Sequence, residues 1–284
     1  MKLTVDIGNT RVKWALFDGE RLVREGVGLP FPEADRAVWC ATGEVSDEVR
    51  QALPANALEL KGGLGCRLPI ALDYLTPETL GADRVAAACG AWKLSGGRPC
   101  VVIDAGTCIT IDYLDASGTY RGGAILPGIS MKFRSLHTFT AKLPLLGLKE
   151  EIPGQARNEE RREEIPGQAR NEERSIGAYP RVRPEVTGRS TAQSIMSGVL
   201  TATRFAVEGY VGYYRREEPG VVVFLTGGDA EWLSEEIPGQ ARNEERRARN
   251  EERRARNEER RARNEEWRVV PELVMVGLNE IENG

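Results

Sequence analysis

The chain has 284 residues and a net charge of −4, with 39 Lys or Arg against 43 Asp or Glu. This slight acidic excess argues against nucleic-acid binding, which needs clustered basic residues. The sequence has no apolar run of about 18 residues, and an acidic residue at position 6 interrupts the stretch where a signal peptide is apolar. We therefore expect a cytoplasmic protein that does not span a membrane.

Cysteine and histidine usage limits the possible metal and redox chemistry. The five cysteines, at positions 40, 66, 89, 100 and 108, are odd in number and show no Cys-x-x-Cys spacing. This pattern predicts small reduced thiols, and neither a disulfide framework nor a zinc site. The single histidine, His137, excludes sites with several histidine ligands.

Two segments consist of charged repeats. A twelve-residue unit that begins Glu-Glu-Ile-Pro-Gly occurs three times unchanged, and copies of the heptad Arg-Ala-Arg-Asn-Glu-Glu-Arg follow the third unit. Residues 150–174 and 235–266 together hold 33 charged residues in 57 positions. Because they have almost nothing to bury, we predict two solvated surface insertions that contribute nothing to the core.

Outside the insertions, strand patterns alternate with helical ones. Lys2–Ile7 is an apolar strand, and the turn residues Gly8-Asn9-Thr10 join it to a second strand at Arg11–Phe17, which predicts a hairpin. The other elements predicted before residue 100 are strands at Leu22–Glu25 and Ala37–Ala41 and helices at Asp47–Leu53 and Arg84–Leu94.

The second half of the chain repeats this opening pattern. A strand at Val101–Ala105 leads through Gly106-Thr107 into a strand at Ile109–Leu114, so strand, Asp-x-Gly-(Asn)-Thr turn and strand occur twice, about 98 residues apart. This duplication predicts an α/β protein with two similar halves, residues 1–99 and 100–284. The remaining predicted elements are strands at Thr119–Leu126, Val221–Leu225 and Leu273–Val276, a long helix over 191–217, and a short helix after Gly277.

The two Asp-Gly-Thr turns have the chemistry of phosphate-binding loops. Glycine in a tight hairpin exposes backbone N–H groups, Asn9 and Thr10 add hydrogen bonds, and Lys13 adds positive charge. Asp6 at the strand end could hold Mg²⁺ through water. Two such hairpins facing each other would clamp a polyphosphate, although an ordinary stabilising turn remains open for each. There is no GxxxxGK[ST] sequence, which excludes a Walker-type loop.

The sequence Gly81-Ala82-Asp83-Arg84 is a second candidate site. Asp83 is predicted at a helix N-terminus, beside a guanidinium. In a kinase, such a carboxylate accepts a hydroxyl proton while the Arg holds an anionic substrate. The alternative is a helix-capping Asp with a surface Arg.

Four linked motifs make the chain resemble the type III pantothenate kinases. They are Asp6-x-Gly8-Asn9-Thr10 with Lys13, Gly81 to Arg84, Asp104-x-Gly106-Thr107, and Thr226-Gly227-Gly228-Asp229, in the family's order and spacing. The resemblance implies an actin- and ribonuclease H-like fold with a nucleotide cleft between its halves. It also implies a cytoplasmic homodimer that phosphorylates pantothenate with ATP, in the first committed step of coenzyme A biosynthesis, and needs K⁺ or NH₄⁺ besides Mg²⁺.

The same resemblance assigns roles to individual residues. Asp83 is expected to be the general base and Asp104 a K⁺ ligand. The ATP contacts implied are Asp6, Ile7, Gly8, Asn9, Thr10, Arg11, Val12, Lys13 and Thr107. The pantothenate contacts implied are Tyr74, Gly81, Ala82, Asp83, Arg84 and Thr191. The family usually has Asn before this last threonine, whereas this chain has Ser190.

Three alternative interpretations of the sequence remain open at this point. Another kinase of the same superfamily would keep both phosphate hairpins but lack Tyr74 and the Gly81–Arg84 motif. A non-catalytic transcriptional accessory protein of the family would be expected to have lost Asp83 or the phosphate loop. An inactive enzyme would result if the first insertion displaced Thr191.

Overall fold

The structure, a computed structural model, describes residues 1–62, 65–146, 185–236 and 267–283. The first charged insertion, 150–174, lies outside the described residues, as does the second beyond residue 236. The chain divides into two compact units, Met1–Gly128 with Arg204–Gly284 and, separately, Ile129–Thr203. The predicted boundary between residues 99 and 100 stays a prediction.

The first 59 residues of the chain form a five-stranded sheet. Its order is β3-β2-β1-β4-β5, with β1, β2 and β3 antiparallel and β1, β4 and β5 parallel. Leu3, Val5 and Ile7 of β1 are buried on the face that packs with Val49 of helix α1. The strands are β1 (Lys2–Ile7), β2 (Val12–Asp18), β3 (Arg21–Val27), β4 (Arg36–Ala41) and β5 (Leu58–Glu59), and α1 is Asp47–Ala52.

The second sheet repeats the first. Its order is β12-β11-β8-β9-β10-β7, in which β8, β9 and β10 are antiparallel and β8, β11 and β12 are parallel. Apart from the added edge strand β7, this is the order and direction of the first sheet, so the prediction of an α/β fold with two similar halves is confirmed. The strands are β7 (Ala71–Leu72), β8 (Cys100–Ala105), β9 (Cys108–Leu114), β10 (Thr119–Pro127), β11 (Val222–Thr226) and β12 (Trp267–Val269).

Helix α2, Ala82–Ser95, packs against both sheets. Its alanine-rich sequence is buried on nearly every side, with Val85, Ala88 and Cys89 inaccessible to solvent. One hydrophobic core unites this helix with Phe17 and Val38 of the first sheet and residues of the second, including Val102, Leu114 and Phe224. A helix that is apolar all round is the expected filling between two sheets.

The last apolar run of the chain forms a helix, α7, at Leu273–Glu280. The prediction of a strand at Leu273–Val276 is therefore wrong, because a short apolar run fits a buried helix as well as a strand. Gly277 of α7 lies against Ala86 and Gly90 of α2, where a Cβ would collide with the Ala86 carbonyl oxygen. Small residues thus let the two helix backbones approach closely.

Four further α-helices, two short strands and a 3₁₀ turn lie within the described residues. α3 is Ile129–Thr138, α4 is Thr191–Met196 and α5 is Ala202–Glu217. The predicted long helix over 191–217 contains a π-helical turn at Ser197–Thr201, between α4 and α5. Ser190 caps α4 by accepting a hydrogen bond from the Gln193 backbone N–H. The others are α6 (Ala230–Glu236), a two-stranded sheet of β6 (Cys66–Arg67) and β13 (Glu282–Asn283), and a 3₁₀ turn at Pro77–Thr79.

All five cysteines are free thiols, as the sequence predicts, and Cys40, Cys89 and Cys100 are buried. Among the described helices, none is long and apolar enough to cross a membrane.

The helix crossing makes a stability prediction. Gly277→Ala should lower the free energy of unfolding by about 3 kcal/mol or more, because its methyl group overlaps the α2 backbone. Gly209→Ala is the matched control: it lies within α5 with open space around it and should raise stability by about 0.5–1 kcal/mol. Chemical denaturation of both variants checks this, and equal effects would contradict the packing described.

Candidate active site

Strand alternation directs two predicted site residues toward α2 and α7. Asp6 shares a face of β1 with Thr4, whose hydroxyl lies 3.4 Å from the Met275 sulfur of α7. Asp104 shares a face of β8 with Val102, which belongs to the core around α2. The two carboxylates therefore leave the ends of the two equivalent strands on their α2-facing sides.

The first predicted phosphate loop is an exposed hairpin tip. The Gly8 backbone N–H donates to the Arg11 carbonyl oxygen at 3.0 Å, which closes the turn between β1 and β2. Asn9, Thr10 and Arg11 are exposed, whereas Lys13 is half-buried opposite Asp6 in the antiparallel register. The lysine thus lies on the strand beside the carboxylate while the loop itself faces solvent.

The second predicted loop is held by two glycines. Thr107 is exposed in the turn between β8 and β9, and its carbonyl oxygen accepts a 3.1 Å hydrogen bond from the Gly128 backbone N–H. A Cβ at Gly128 would overlap this turn, and one at Gly227 would overlap the Asp104 carboxylate. Gly227 also has a φ of 91°, which other residues rarely adopt. The Thr226–Asp229 motif therefore leaves room for Asp104.

Asp83 lies in the first turn of α2, as the sequence predicts. Gly81 is the N-cap residue and provides no side-chain cap, while an Asp83 carboxylate oxygen accepts the Arg84 backbone N–H at 2.8 Å. A Cβ on Gly81 would lie only 2.6 Å from that carboxylate oxygen. The glycine therefore makes space for Asp83 at the positive end of the helix dipole.

Asp6, Asp83 and Asp104 are close enough for their charges to interact. The pKa of Asp6 is raised to about 6, mainly by burial and secondly by the charge of Asp83, although Lys13 opposes this shift. Burial, followed by the charges of Asp83 and Asp6, raises the pKa of Asp104 to about 7. Burial also raises the pKa of Asp83. The structure thus concentrates three partly buried carboxylates around one lysine, an arrangement typical of functional sites.

Arg84 is not the surface residue of the alternative interpretation. Its side chain is 7% exposed and that of Asp112 on β9 is 1% exposed. The guanidinium donates from Nη2 to Asp112 Oδ1 at 2.6 Å, and from Nε to Oδ1 and Oδ2 at 3.1 and 3.3 Å. Its charge is therefore matched within the protein by Asp112, and the expected role of Arg84 as a pantothenate contact stays a prediction.

Asp112 and Tyr120 are site neighbours that sequence reasoning missed. The Tyr120 hydroxyl donates to Asp112 Oδ1 at 2.6 Å, and both side chains are buried. The available signal was an acidic residue in the otherwise buried strand β9, since a buried charge requires a partner. The strand pattern does not reveal that this partner lies on α2.

The predicted pantothenate contacts fall into two groups. Tyr74 lies beside Tyr120, with ring centroids 6.0 Å apart, and so belongs with the Gly81–Arg84 turn. Thr191 lies in the other compact unit, where it is the exposed first residue of α4. The structure therefore brings Asp6, Asp83 and Asp104 together near the start of α2, with Arg84 and Tyr74 beside them. Ile7 lies on the opposite face of β1, and Thr191 belongs to the other unit.

The described carboxylates do not form a ready metal cage. Within residues 1–62, 65–146, 185–236 and 267–283, no three His, Cys, Asp or Glu side chains are arranged to hold a metal ion. The Asp6 charge contributes to the raised pKa of Asp104. The expected cation role of Asp104 stays a prediction.

The charge cluster should destabilise the fold. The pKa of Asp104 is about 7 in the folded protein, whereas its ordinary value is 3.8. The ionised Asp104 carboxylate therefore lowers the free energy of unfolding progressively as the pH rises from about 4 to 7, and this loss of stability is complete above pH 7. In buffer free of K⁺ and divalent cations, Asp104→Asn should raise the free energy of unfolding at pH 8 by about 1–2 kcal/mol. Its advantage should shrink toward pH 4.

Asp115→Asn is the control of opposite sign. Burial opposes ionisation of Asp115, but hydrogen bonds from Ser117, Thr119 and Arg121 outweigh it and lower its pKa to about 2. Removing the Asp115 carboxylate should lower the free energy of unfolding at pH 8. This effect should disappear below pH 2, where the carboxyl group is protonated. Denaturation curves across pH check both variants, and a destabilised Asp104→Asn would contradict the repulsion described.

Comparison with known proteins identifies the family of the chain. A sequence model of the family described as type III pantothenate kinase matches residues 38–160. A type III pantothenate kinase from Phocaeicola vulgatus is 34% identical over 244 residues, which cover 81% of this chain and 86% of the relative. One from Flavobacterium johnsoniae is 32% identical over 253 residues, covering 84% of this chain and 89% of the relative.

A solved structure shares the fold. A protein from Campylobacter jejuni, described as a conserved Baf family transcriptional activator, superposes with a TM-score of 0.54 at 16% identity. The match covers 98% of this chain and 96% of that protein. Sequence identity over most of the chain, together with the matching family model, gives the classification. The chain belongs to the type III pantothenate kinase family.

Proposed function

We propose that the protein transfers the γ-phosphoryl group of ATP to the primary hydroxyl of pantothenate, forming 4′-phosphopantothenate for coenzyme A biosynthesis. The observation that carries this proposal is the convergence of Asp6, Asp83 and Asp104 with Lys13, in a chain of this family. A kinase needs such groups to hold a cation, neutralise phosphate charge and accept a proton.

The ATP phosphates would bind between the two hairpin turns. Both turns follow equivalent strands and have exposed tips, so their backbone N–H groups and threonine side chains are accessible to a nucleotide. Lys13 and Thr107 would contact the transferred phosphoryl group and stabilise its charge. The proposed ATP contacts are Asp6, Ile7, Gly8, Asn9, Thr10, Arg11, Val12, Lys13 and Thr107.

The carboxylates suit the cations that the reaction needs. Carboxylate oxygens are the ligands that Mg²⁺ and K⁺ prefer, and the mutual repulsion of Asp6 and Asp104 would fall when a cation lies near them. Asp6 would hold the Mg²⁺ of the nucleotide through water, and Asp104 would bind K⁺ or NH₄⁺. Such cations supply charge neutralisation for the polyphosphate.

Pantothenate would lie at the start of α2. Asp83 would accept the proton of its primary hydroxyl as the phosphoryl group arrives, and its helix-terminal position keeps the carboxylate oriented. Tyr74, Gly81, Ala82 and Arg84 would position the rest of the molecule, with Thr191 as a further contact. Since the phosphoryl group needs little covalent assistance, alignment of the hydroxyl provides most of the catalysis.

The protein is also proposed to be a cytoplasmic homodimer, which rests on the family resemblance alone. The location and the dimer are not argued from any contact or residue of the structure.

Replacing the proposed base separates catalysis from binding. Asp83→Asn should lower kcat by about 10²–10⁴ while leaving the fold and the ATP affinity unchanged, since the amide keeps the shape but cannot accept the proton. Asp47→Asn is the matched control, because Asp47 also lies in the first turn of a helix, α1, and is not among the proposed ATP or pantothenate contacts. Steady-state kinetics checks both, and near-wild-type turnover by Asp83→Asn would contradict the assignment.

Removal of the proposed monovalent-cation ligand makes a separate prediction. Asp104→Ala should abolish activation by KCl, because the cation loses its anionic oxygen ligand. The control is Asp18→Ala, which removes an exposed carboxylate at the end of β2. Initial rates measured over a KCl titration check this. If Asp104→Ala responds to KCl as the wild type does, the cation binds elsewhere.

A further inference from the structure

Asp112 is the centre of a buried hydrogen-bond network beside the Gly81–Arg84 motif. Its carboxylate accepts hydrogen bonds from Nη2 and Nε of the Arg84 guanidinium and from the Tyr120 hydroxyl. Three donors on one carboxylate leave it little freedom to rotate. Since Arg84 follows Asp83 directly on α2, the network holds the first turn of that helix against strand β9.

Tyr120 extends the network to the other predicted pantothenate contact. Its ring packs against the Tyr74 ring, with centroids 6.0 Å apart and a 55° tilt between the planes. Tyr74 also lies against the backbone at Gly122, where a Cβ would be 3.4 Å from the tyrosine ring. One buried tyrosine thus touches Tyr74 on one side and the Asp112 carboxylate on the other.

Stability does not explain this arrangement. A buried ion pair seldom stabilises a fold more than well-packed apolar side chains of the same volume, because both charges are removed from water. The surrounding core is rich in alanine, valine and leucine, which could fill this space. A bidentate guanidinium–carboxylate pair does, however, fix direction more tightly than an apolar contact.

We propose that Asp112 and Tyr120 are positioning residues for the phosphorylation of pantothenate, which together hold Arg84 and Tyr74 in the geometry that receives the substrate. This inference rests on the proposed function. Neither residue needs to touch pantothenate, because Arg84 and Tyr74 transmit their effect. Arg84 contributes directed N–H groups and a fixed helix start, and Asp112 balances its charge.

The decisive variant is Tyr120→Phe, which keeps the ring against Tyr74 but removes the hydrogen bond to Asp112. We expect kcat/KM for pantothenate to fall about 3- to 10-fold, the effect of one lost hydrogen bond, with the KM for ATP unchanged within about twofold. The matched control is Tyr113→Phe. It removes a hydroxyl that donates to Glu218 at 3.0 Å, from the neighbouring residue of Asp112 on the same strand. This control should leave pantothenate kinetics unchanged.

Asp112→Asn tests the other half of the network. It should lower kcat/KM for pantothenate more than about 50-fold, since Arg84 loses its charge partner, and it should also lower the melting temperature. A general loss of structure would raise both KM values together, whereas mispositioning affects pantothenate alone. If this variant does not fold, Tyr120→Phe decides the question, because its packing is preserved.

The outcomes separate the inference from the proposed function. A wild-type protein that does not phosphorylate pantothenate overturns both. An active wild type whose Tyr120→Phe variant behaves like Tyr113→Phe, or loses ATP and pantothenate affinity equally, overturns the inference alone. A selective loss with pantothenate supports it.

Discussion

The close contact between α2 and α7 is the constraint on which the site depends. Gly90 and Gly277 have no side chains to separate the helix backbones, so α2 can pack between the two sheets. Its first turn then brings Asp83 within charge interaction of Asp6 and Asp104, at the ends of equivalent strands of the repeated halves. A bulky residue in this crossing would move the helix that carries the proposed base.

The resulting site is costly in stability. Burial raises the pKa of all three carboxylates. The Asp83 charge adds to the shift of Asp6, the charges of Asp83 and Asp6 add to that of Asp104, and Lys13 offsets only part of both. Next to them, Arg84 and Asp112 are removed from water as a pair. The apolar core shared by the two sheets and α2 compensates for these groups. Stability lost at a site in exchange for prearranged charge is a common compromise in enzymes.

Local sequence signals predicted the elements that depend on local chemistry. The Gly8-Asn9-Thr10 and Gly106-Thr107 turns predicted both hairpins, and their repetition predicted two similar halves, because turn geometry is set by neighbouring residues. The segment from Leu273 was misassigned, since an apolar run of four or five residues fits either element until its partner is known. Gly277 is the informative residue there, but its contact, Ala86, is 191 positions away.

For the candidate site, too, the sequence predicted individual residues but not the contacts between distant parts of the chain. Motif order identified Asp6, Asp83 and Asp104, whereas their mutual repulsion emerges only when the strands and α2 are packed together. The sequence left open whether Arg84 binds an anionic substrate or lies on the surface, and it does not indicate the buried pairing of Arg84 with Asp112. Long-range pairing of this kind requires the topology that places β9 beside α2.

The central claim is that this charge cluster performs phosphoryl transfer to pantothenate. Purified protein incubated with ATP, Mg²⁺, KCl and pantothenate tests it most directly, with mass spectrometry of the product and a parallel assay for ADP. The account predicts one 4′-phosphopantothenate for each ADP formed. ADP release without phosphopantothenate, or no turnover by a protein shown to be folded, would contradict it.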